Sequence, residues 1–187
     1  MTADVQRPRL VLVGGAPGSG KTTLAARLVA ELRVPLLMRD ELKEAMANDL
    51  PAANPEESAR LGAAAYGVLY VAARRMLLAG VGLVMESNFH RGRSEQDIRP
   101  LLDLADAVLI HCGGDPSEIA RRFIARAGSE GRHPVHHDLQ VVDRLEARLR
   151  GAIFEPLDLE IPVLRVATTG PELYEPGLAQ IVAFARG

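Results

Sequence analysis

The run Gly15-Ala16-Pro17-Gly18-Ser19-Gly20-Lys21-Thr22, followed by Thr23, fits the pattern Gly-x4-Gly-Lys-Ser/Thr. In that pattern the backbone amides of a glycine-rich loop wrap nucleotide phosphates, the lysine reaches the terminal phosphates and the hydroxyl ligates magnesium. Lys21 and Lys43 are the only lysines among 22 basic side chains. A compact ammonium fits between phosphates as a point charge, where a planar guanidinium is wider and bonds in a fixed fork. Gly15 through Thr23 are therefore expected to hold ATP, with Mg2+ on Thr22.

Two carboxylates follow apolar runs that read as strands. Asp40 comes after Leu36-Leu37-Met38-Arg39, and Glu86 closes Val81-Gly82-Leu83-Val84-Met85. Asp40 fits a helix N-cap, and it also fits the acceptor of a proton from an attacking hydroxyl, with Lys43 three residues later and Arg39 beside it to orient an acceptor. Glu86 is a candidate ligand of the metal or its water, or the base itself. Which of the two acts as base is open in the sequence. Asn88, after Ser87, is a candidate substrate contact or a turn residue.

Arg122 and Arg126 lie one helical turn apart, and Arg132 follows between Gly128-Ser129-Glu130-Gly131 and His133-Pro134. Guanidinium groups stabilise the charge of a transferring phosphoryl group, so the three are expected to be catalytic, with residues about 126–138 forming a lid that closes Arg132 onto ATP. A solvated helix face is the ordinary alternative. His133, His136 and His137 have a weak resemblance to a metal cluster, but no cysteine is near and Pro134 restricts them.

These residues need elements to hold them. Continuous apolar runs predict strands near 9–14, 35–39, 81–86, 107–112 and 162–167, and helical periodicity predicts helices near 20–32, 40–49, 55–79, 93–104, 116–127, 138–151 and 175–186. Asn54-Pro55 is a helix-start signal, and Gly170-Pro171 marks a break. Strands alternating with helices imply a parallel sheet covered on both faces, with ligands outside the carboxyl ends of its strands. The expected fold is α/β: a three-layer P-loop NTPase fold with a five-stranded parallel sheet, helices on both faces and a lid, nucleoside-kinase-like. One domain is expected over 1–187, with an acceptor-binding insertion at about 40–80, where Tyr66 and Tyr70 share a helix face.

The 187-residue chain is 48% hydrophobic and 25% charged, with a net charge of −2, 4% aromatic residues and no Trp. That leaves no global basic field and few stacking platforms for polynucleotide. Cys112 is the single cysteine, residues 1–9 carry no apolar signal core, and no uninterrupted apolar run approaches the roughly 20 residues that span a bilayer. A cytoplasmic protein without a membrane partner is expected.

The Gly15–Thr22 loop, Arg39-Asp40-Glu41-Leu42-Lys43, Glu86-Ser87-Asn88-Phe89, and Arg122 to Arg126 with Arg132-His133-Pro134-Val135-His136 together resemble the small ATP-binding P-loop kinases of the AAA-type kinase-like family, related to polynucleotide kinase, zeta toxin and chloramphenicol phosphotransferase. The resemblance implies that Asp40 activates the acceptor hydroxyl and that the later arginines belong to the lid. Val135 departs from it, standing where glycine is expected. A Mg-ATP-dependent kinase acting on a hydroxyl of a nucleoside, sugar or antibiotic is the leading expectation. A polynucleotide 5'-hydroxyl kinase is the nearest rival, disfavoured by the overall acidity, and an ATP-dependent switch that binds a partner is the alternative of another class.

Overall fold

The computed structural model describes residues 7–140, 142–170 and 173–187; the N-terminal Met1–Gln6 and the predicted break at Pro171 lie outside them. Strand β1 (Arg9–Gly15) sits mid-sheet, flanked by β3 (Leu83–Glu86) and β4 (Asp106–Gly113). Beyond these lie β2 (Leu36–Met38) on one side and β5 (Val163–Gly170) then β6 (Leu173–Glu175) on the other. The first five strands are parallel, and β6 runs antiparallel to β5. The predicted five-strand sheet thus gains an edge strand. Three residues carry too little alternation to register as a strand, and Glu175, which the periodicity places in the last helix, precedes α7 (Leu178–Arg186).

The double burial read from Leu10-Val11-Leu12-Val13 is visible in the core. Side chains alternate across a strand, so Leu10 and Leu12 enter a cluster with Leu69, Met85, Ile98 and Leu109, while Val11 and Val13 enter another with Leu24, Leu28, Ile110 and Ile181. Helices α1 (Lys21–Leu32) and α7 cover the second face; α3 (Pro55–Leu78) and α4 (Glu95–Leu102) cover the first. A smaller cluster joins Ala16 of the glycine-rich loop to Ile119 and Phe123 of α5 (Pro116–Ala127), Leu145 of α6 (Val142–Leu149) and Phe154.

Helix α3 begins as Asn54-Pro55 predicts: the Asn54 side chain accepts from the Glu57 amide at 2.9 Å. Its final 18 residues hold only two charges, Arg74 and Arg75, so by length and composition α3 could cross a membrane, which the short uninterrupted runs did not suggest. Its Ala65, Leu69, Ala73 and Leu77 stripe is instead buried against the sheet. Helix α2 (Arg39–Asp49) corrects the capping expectation: its N-cap is Met38, and Asp40 lies inside the first turn. Residues after α5 form a turn and two short 3-10 helices, Pro134–His136 and Asp138–Gln140. Val135 is buried there, and its carbonyl accepts from Ser58 of α3 at 2.5 Å, so the non-glycine residue anchors this segment to α3.

Candidate active site

The glycine-rich loop leaves β1 through Gly15, at φ 140°, where a Cβ would lie 2.2 Å from the Cys112 carbonyl oxygen; at Gly18, φ 88°, a Cβ would lie 2.5 Å from the Ile119 carbonyl oxygen. Only glycine lets this loop press against β4 and α5. Thr168, at the end of β5, fixes the loop from outside: its hydroxyl donates to the Ser19 carbonyl at 2.8 Å, and Arg122 donates to the Thr168 carbonyl and hydroxyl oxygens at 3.1 Å each. Among the described residues, the buried Ser19 hydroxyl has no hydrogen-bond partner.

The first turn of α1 carries Lys21 and Thr22, and its free amides and dipole favour anionic oxygens. Lys21 is 5% exposed, with Nζ 3.4 Å from the Ala16 carbonyl and 3.7 Å from Glu86 Oε1. The Thr22 hydroxyl donates to Glu86 Oε2 at 3.4 Å. Burial lowers the Lys21 pKa against the pull of Glu86 and Asp40, and burial raises that of Glu86 against the pull of Lys21. These long contacts leave the ammonium donors short of good acceptors, and an arriving phosphate would supply them. An oxygen pair from Thr22 and Glu86 at a helix N-terminus suits a hard divalent cation such as Mg2+.

Asp40 faces the loop from α2. Its oxygens lie 3.1 Å from Arg39 and 3.8 Å from Arg132. Burial pushes its pKa up, but Arg39, with His136, Lys21 and Arg132 behind it, outweighs burial and holds the carboxyl at about 2. Asp40 is thus ionised at any ordinary pH. Lys43, expected to stand beside Asp40, instead turns inward and donates to the Ser58 hydroxyl at 2.6 Å; α2 buries it against α3. Burial and the neighbouring Arg39 lower its pKa to about 8.

The arginines differ. Arg122 is committed to Glu118 at 2.9 Å and to Thr168, so it braces the loop. The Arg126 guanidinium, among the described residues, has no hydrogen-bond or ion-pair partner; its Nε is buried, and it lies 5.6 Å over the Phe123 ring. Arg132 is held by Asp138 at 2.6 Å, with Glu44 at 3.6 Å and Asp40 at 3.8 Å, already beside the cleft. The three histidines take separate partners: His133 accepts from the Val135 amide, His136 bonds Glu44 at 2.6 Å, and His137 bonds the Ala52 carbonyl at 3.0 Å. Cys112 is buried, which pushes its thiol up to about 12.

Two cavities of ≈ 470 Å³ each meet at these residues. The first is lined by Gly18, Gly20, Lys21, Thr22, Thr23 and Glu86. The second is lined by Arg39, Lys43, Asn88, Arg93, Arg148 and His136. Asp40, Arg126 and Arg132 line both. At the second cavity the buried Asn88 Oδ1 has no hydrogen-bond partner among the described residues.

Residues 10–152 match the family AAA_33, an AAA domain. The chain belongs to this family. A candidate kinase from Chloroflexus aurantiacus superposes with a TM-score of 0.83 at 35% identity, covering 97% of this chain and 98% of the other. A sugar kinase from Janibacter sp. (TM-score 0.54, 20% identity, 95% and 92% coverage) and a gluconokinase from Sinorhizobium meliloti (TM-score 0.51, 17% identity, 96% and 89% coverage) share the fold. No match was found among curated proteins. The AAA_33 chain is thus a kinase-like P-loop domain.

Sequence reasoning missed several residues of this AAA_33 site. Thr168 stands at the carboxyl end of the fifth strand, where the topology rule already directs attention. Glu44, one helical turn after Asp40, pairs with Arg132 and His136. Arg93 and Arg148 carry no local signal, because they meet only where the turn before α4 reaches the segment after α6: the Arg91 amide donates to the Ile153 carbonyl at 3.0 Å, and His90 bonds Arg148 at 3.1 Å.

Proposed function

We propose that the chain is a Mg-ATP-dependent phosphotransferase that moves the terminal phosphoryl group of ATP to a hydroxyl of a small molecule, a nucleoside, sugar or antibiotic, in the cytoplasm. One observation carries the reading: Asp40, Arg126 and Arg132 stand at the junction of two cavities, one built on the phosphate-binding loop and one with no part of it beyond Pro17. A donor in the first and an acceptor in the second would meet at Asp40. The sugar kinase and gluconokinase that share the fold support a small acceptor.

In this reading the loop amides and Lys21 hold the β- and γ-phosphates, and Thr22 and Glu86 hold the metal. Magnesium, when bound, neutralises phosphate charge. The acceptor hydroxyl donates a hydrogen bond to Asp40. Its oxygen forms the new bond to the γ-phosphorus as the bond to the β-bridging oxygen breaks, ADP leaves, and the hydroxyl proton passes to Asp40. A carboxylate with a pKa near 2 is a weak base toward a free alcohol. Asp40 therefore orients the oxygen first and takes the proton late, when bonding to phosphorus has made that proton acidic. Glu86 is better suited to the metal than to this role, since its Oε2 lies 3.4 Å from the Thr22 hydroxyl at the start of α1, and the two oxygens could share a divalent cation there. Arg126, unpaired, would stabilise the equatorial oxygens.

The test is transfer of the labelled terminal phosphate of ATP, with magnesium, into nucleosides, sugars, hydroxylated antibiotics and a 5'-hydroxyl oligonucleotide. A labelled small molecule, absent with Lys21→Ala and Asp40→Asn, supports the reading. Labelling of the oligonucleotide alone identifies a polynucleotide kinase, and slow release of free phosphate insensitive to Asp40→Asn indicates a switch.

A further inference from the structure

The second cavity is heavily cationic. Arg39, Lys43, Arg93, Arg126, Arg132 and Arg148 line it, against Asp40 and Asp138. Those carboxylates are already used: Asp40 lies 3.1 Å from Arg39, and Asp138 lies 2.6 Å from Arg132. Among the described residues, no carboxylate comes within ion-pair distance of Arg93, Arg126, Arg148 or Lys43, so positive charge remains uncompensated in a concave site. The Nε donors of Arg39 and Arg126 are also buried without acceptors.

Arg126 also faces the nucleotide cleft, so its charge is shared with ATP. Arg93 and Arg148 line the second cavity and not the first. His90 aims Arg148 without cancelling its charge: its Nε2 bonds the guanidinium at 3.1 Å, and burial, with Arg148, Arg39 and Arg93 nearby, lowers the ring pKa to about 4, leaving it a neutral acceptor. The Arg148 guanidinium also stacks 5.0 Å above the Phe154 ring. Burial and the nearby guanidinium of Arg39 depress the Lys43 pKa, which a neighbouring anion would oppose. Asn88 Oδ1, buried and unpartnered, offers an acceptor to a ligand hydroxyl.

We propose that the molecule taken by the second cavity is a small hydroxylated anion, a hydroxy acid or a phosphorylated polyol, whose acidic group is held by Arg93 and Arg148 while a hydroxyl reaches Asp40. The inference rests on the phosphotransferase reading for the hydroxyl's fate but not for the anion's binding. A half-open pocket of ≈ 470 Å³ has room for such a molecule.

The binding test fills the nucleotide site with magnesium and a non-hydrolysable ATP analogue. Calorimetry at matched ionic strength then compares gluconate, glucose 6-phosphate and inorganic phosphate with uncharged glucitol and glucose, for the wild type and for Arg93→Gln/Arg148→Gln. Charged probes should bind, and the double variant should weaken them roughly 10- to 100-fold, the effect of losing charge-assisted hydrogen bonds. Arg93→Gln alone, at an exposed side chain with no ion pair among the described residues, should give part of that loss in a folded protein. Equal responses to charged and neutral probes, or charge preference kept by the double variant, overturns the proposal, as does a 5'-hydroxyl oligonucleotide binding more tightly than every small probe. Arginine-dependent binding of gluconate or glucose 6-phosphate without phosphoryl transfer would instead defeat the kinase reading and leave the anion site standing. Transfer to neutral acceptors that ignores both arginines would defeat the anion site alone.

Discussion

Asp40→Asn preserves shape and removes the charge that the account places at the point of transfer. Loss of a positioned base or orienting carboxylate lowers turnover roughly 10²- to 10⁴-fold, or about 3–5 kcal/mol of barrier. The structural consequence is smaller. Asp40 sits at about 2 against an ordinary 3.8. A lowered carboxylate pKa stabilises the fold at pH above the unfolded value, and that contribution disappears as the pH falls through about 2. Unscreened, the shift corresponds to about 2 kcal/mol, but the side chain is 34% exposed, and solvent screening reduces this to about 1 kcal/mol. At neutral pH the variant should therefore stay folded while losing transfer. Nucleotide affinity should change less than threefold, because the loop amides and Lys21 are untouched. The assay is single-turnover transfer from labelled ATP, with nucleotide affinity from calorimetry and unfolding midpoints from thermal scans. Turnover within threefold of wild type, with nucleotide binding intact, refutes the role of Asp40.

Lys21→Met should reduce transfer at least about 10³-fold and weaken ATP binding, measured by calorimetry, because it removes the buried cation beside Glu86. Arg126→Gln should lower kcat roughly 10- to 100-fold with an unfolding midpoint near wild type, since among the described residues its guanidinium has only the contact over the Phe123 ring to lose. Arg122→Gln should do the reverse in stability, losing about 1–3 kcal/mol in chemical denaturation through its bonds to Glu118 and Thr168. Lys43, with its pKa lowered to about 8, is charged below that pH and neutral above it, so KM for a negatively charged acceptor should rise as pH passes 8 while nucleotide affinity holds. A flat acceptor KM from pH 7 to 9 contradicts that role.

Much of the scaffold was legible because its signals are local. The alternation of Leu10 to Val13 between two cores, the glycines that let the loop approach Cys112 and Ile119, and the Asn54 cap are each written in a few consecutive residues. The rule that ligands lie past the carboxyl ends of parallel strands brought Asp40 and Glu86 toward the loop. What escaped depends on partners distant in sequence. Lys43 is i+3 from Asp40, yet the close approach of α2 to α3 turned it to Ser58. Arg122 and Arg126 read alike in sequence; Glu118, one turn earlier, and Thr168, on β5, together make Arg122 the brace and leave Arg126 without an ion pair among the described residues. The cationic cavity joins Arg93 to Arg148 across more than fifty residues, and no periodicity encodes that meeting.

The most direct measurement of the central claim incubates the protein with magnesium and ATP carrying heavy oxygen on its terminal phosphate, in a cellular metabolite extract, and follows the heavy phosphoryl group by mass spectrometry. The expected result is a heavy-labelled phosphorylated small molecule formed with an equivalent of ADP, and absent with Lys21→Met and Asp40→Asn. Heavy label found only in inorganic phosphate, at a rate indifferent to Asp40→Asn, would contradict the assignment of phosphoryl transfer to this site.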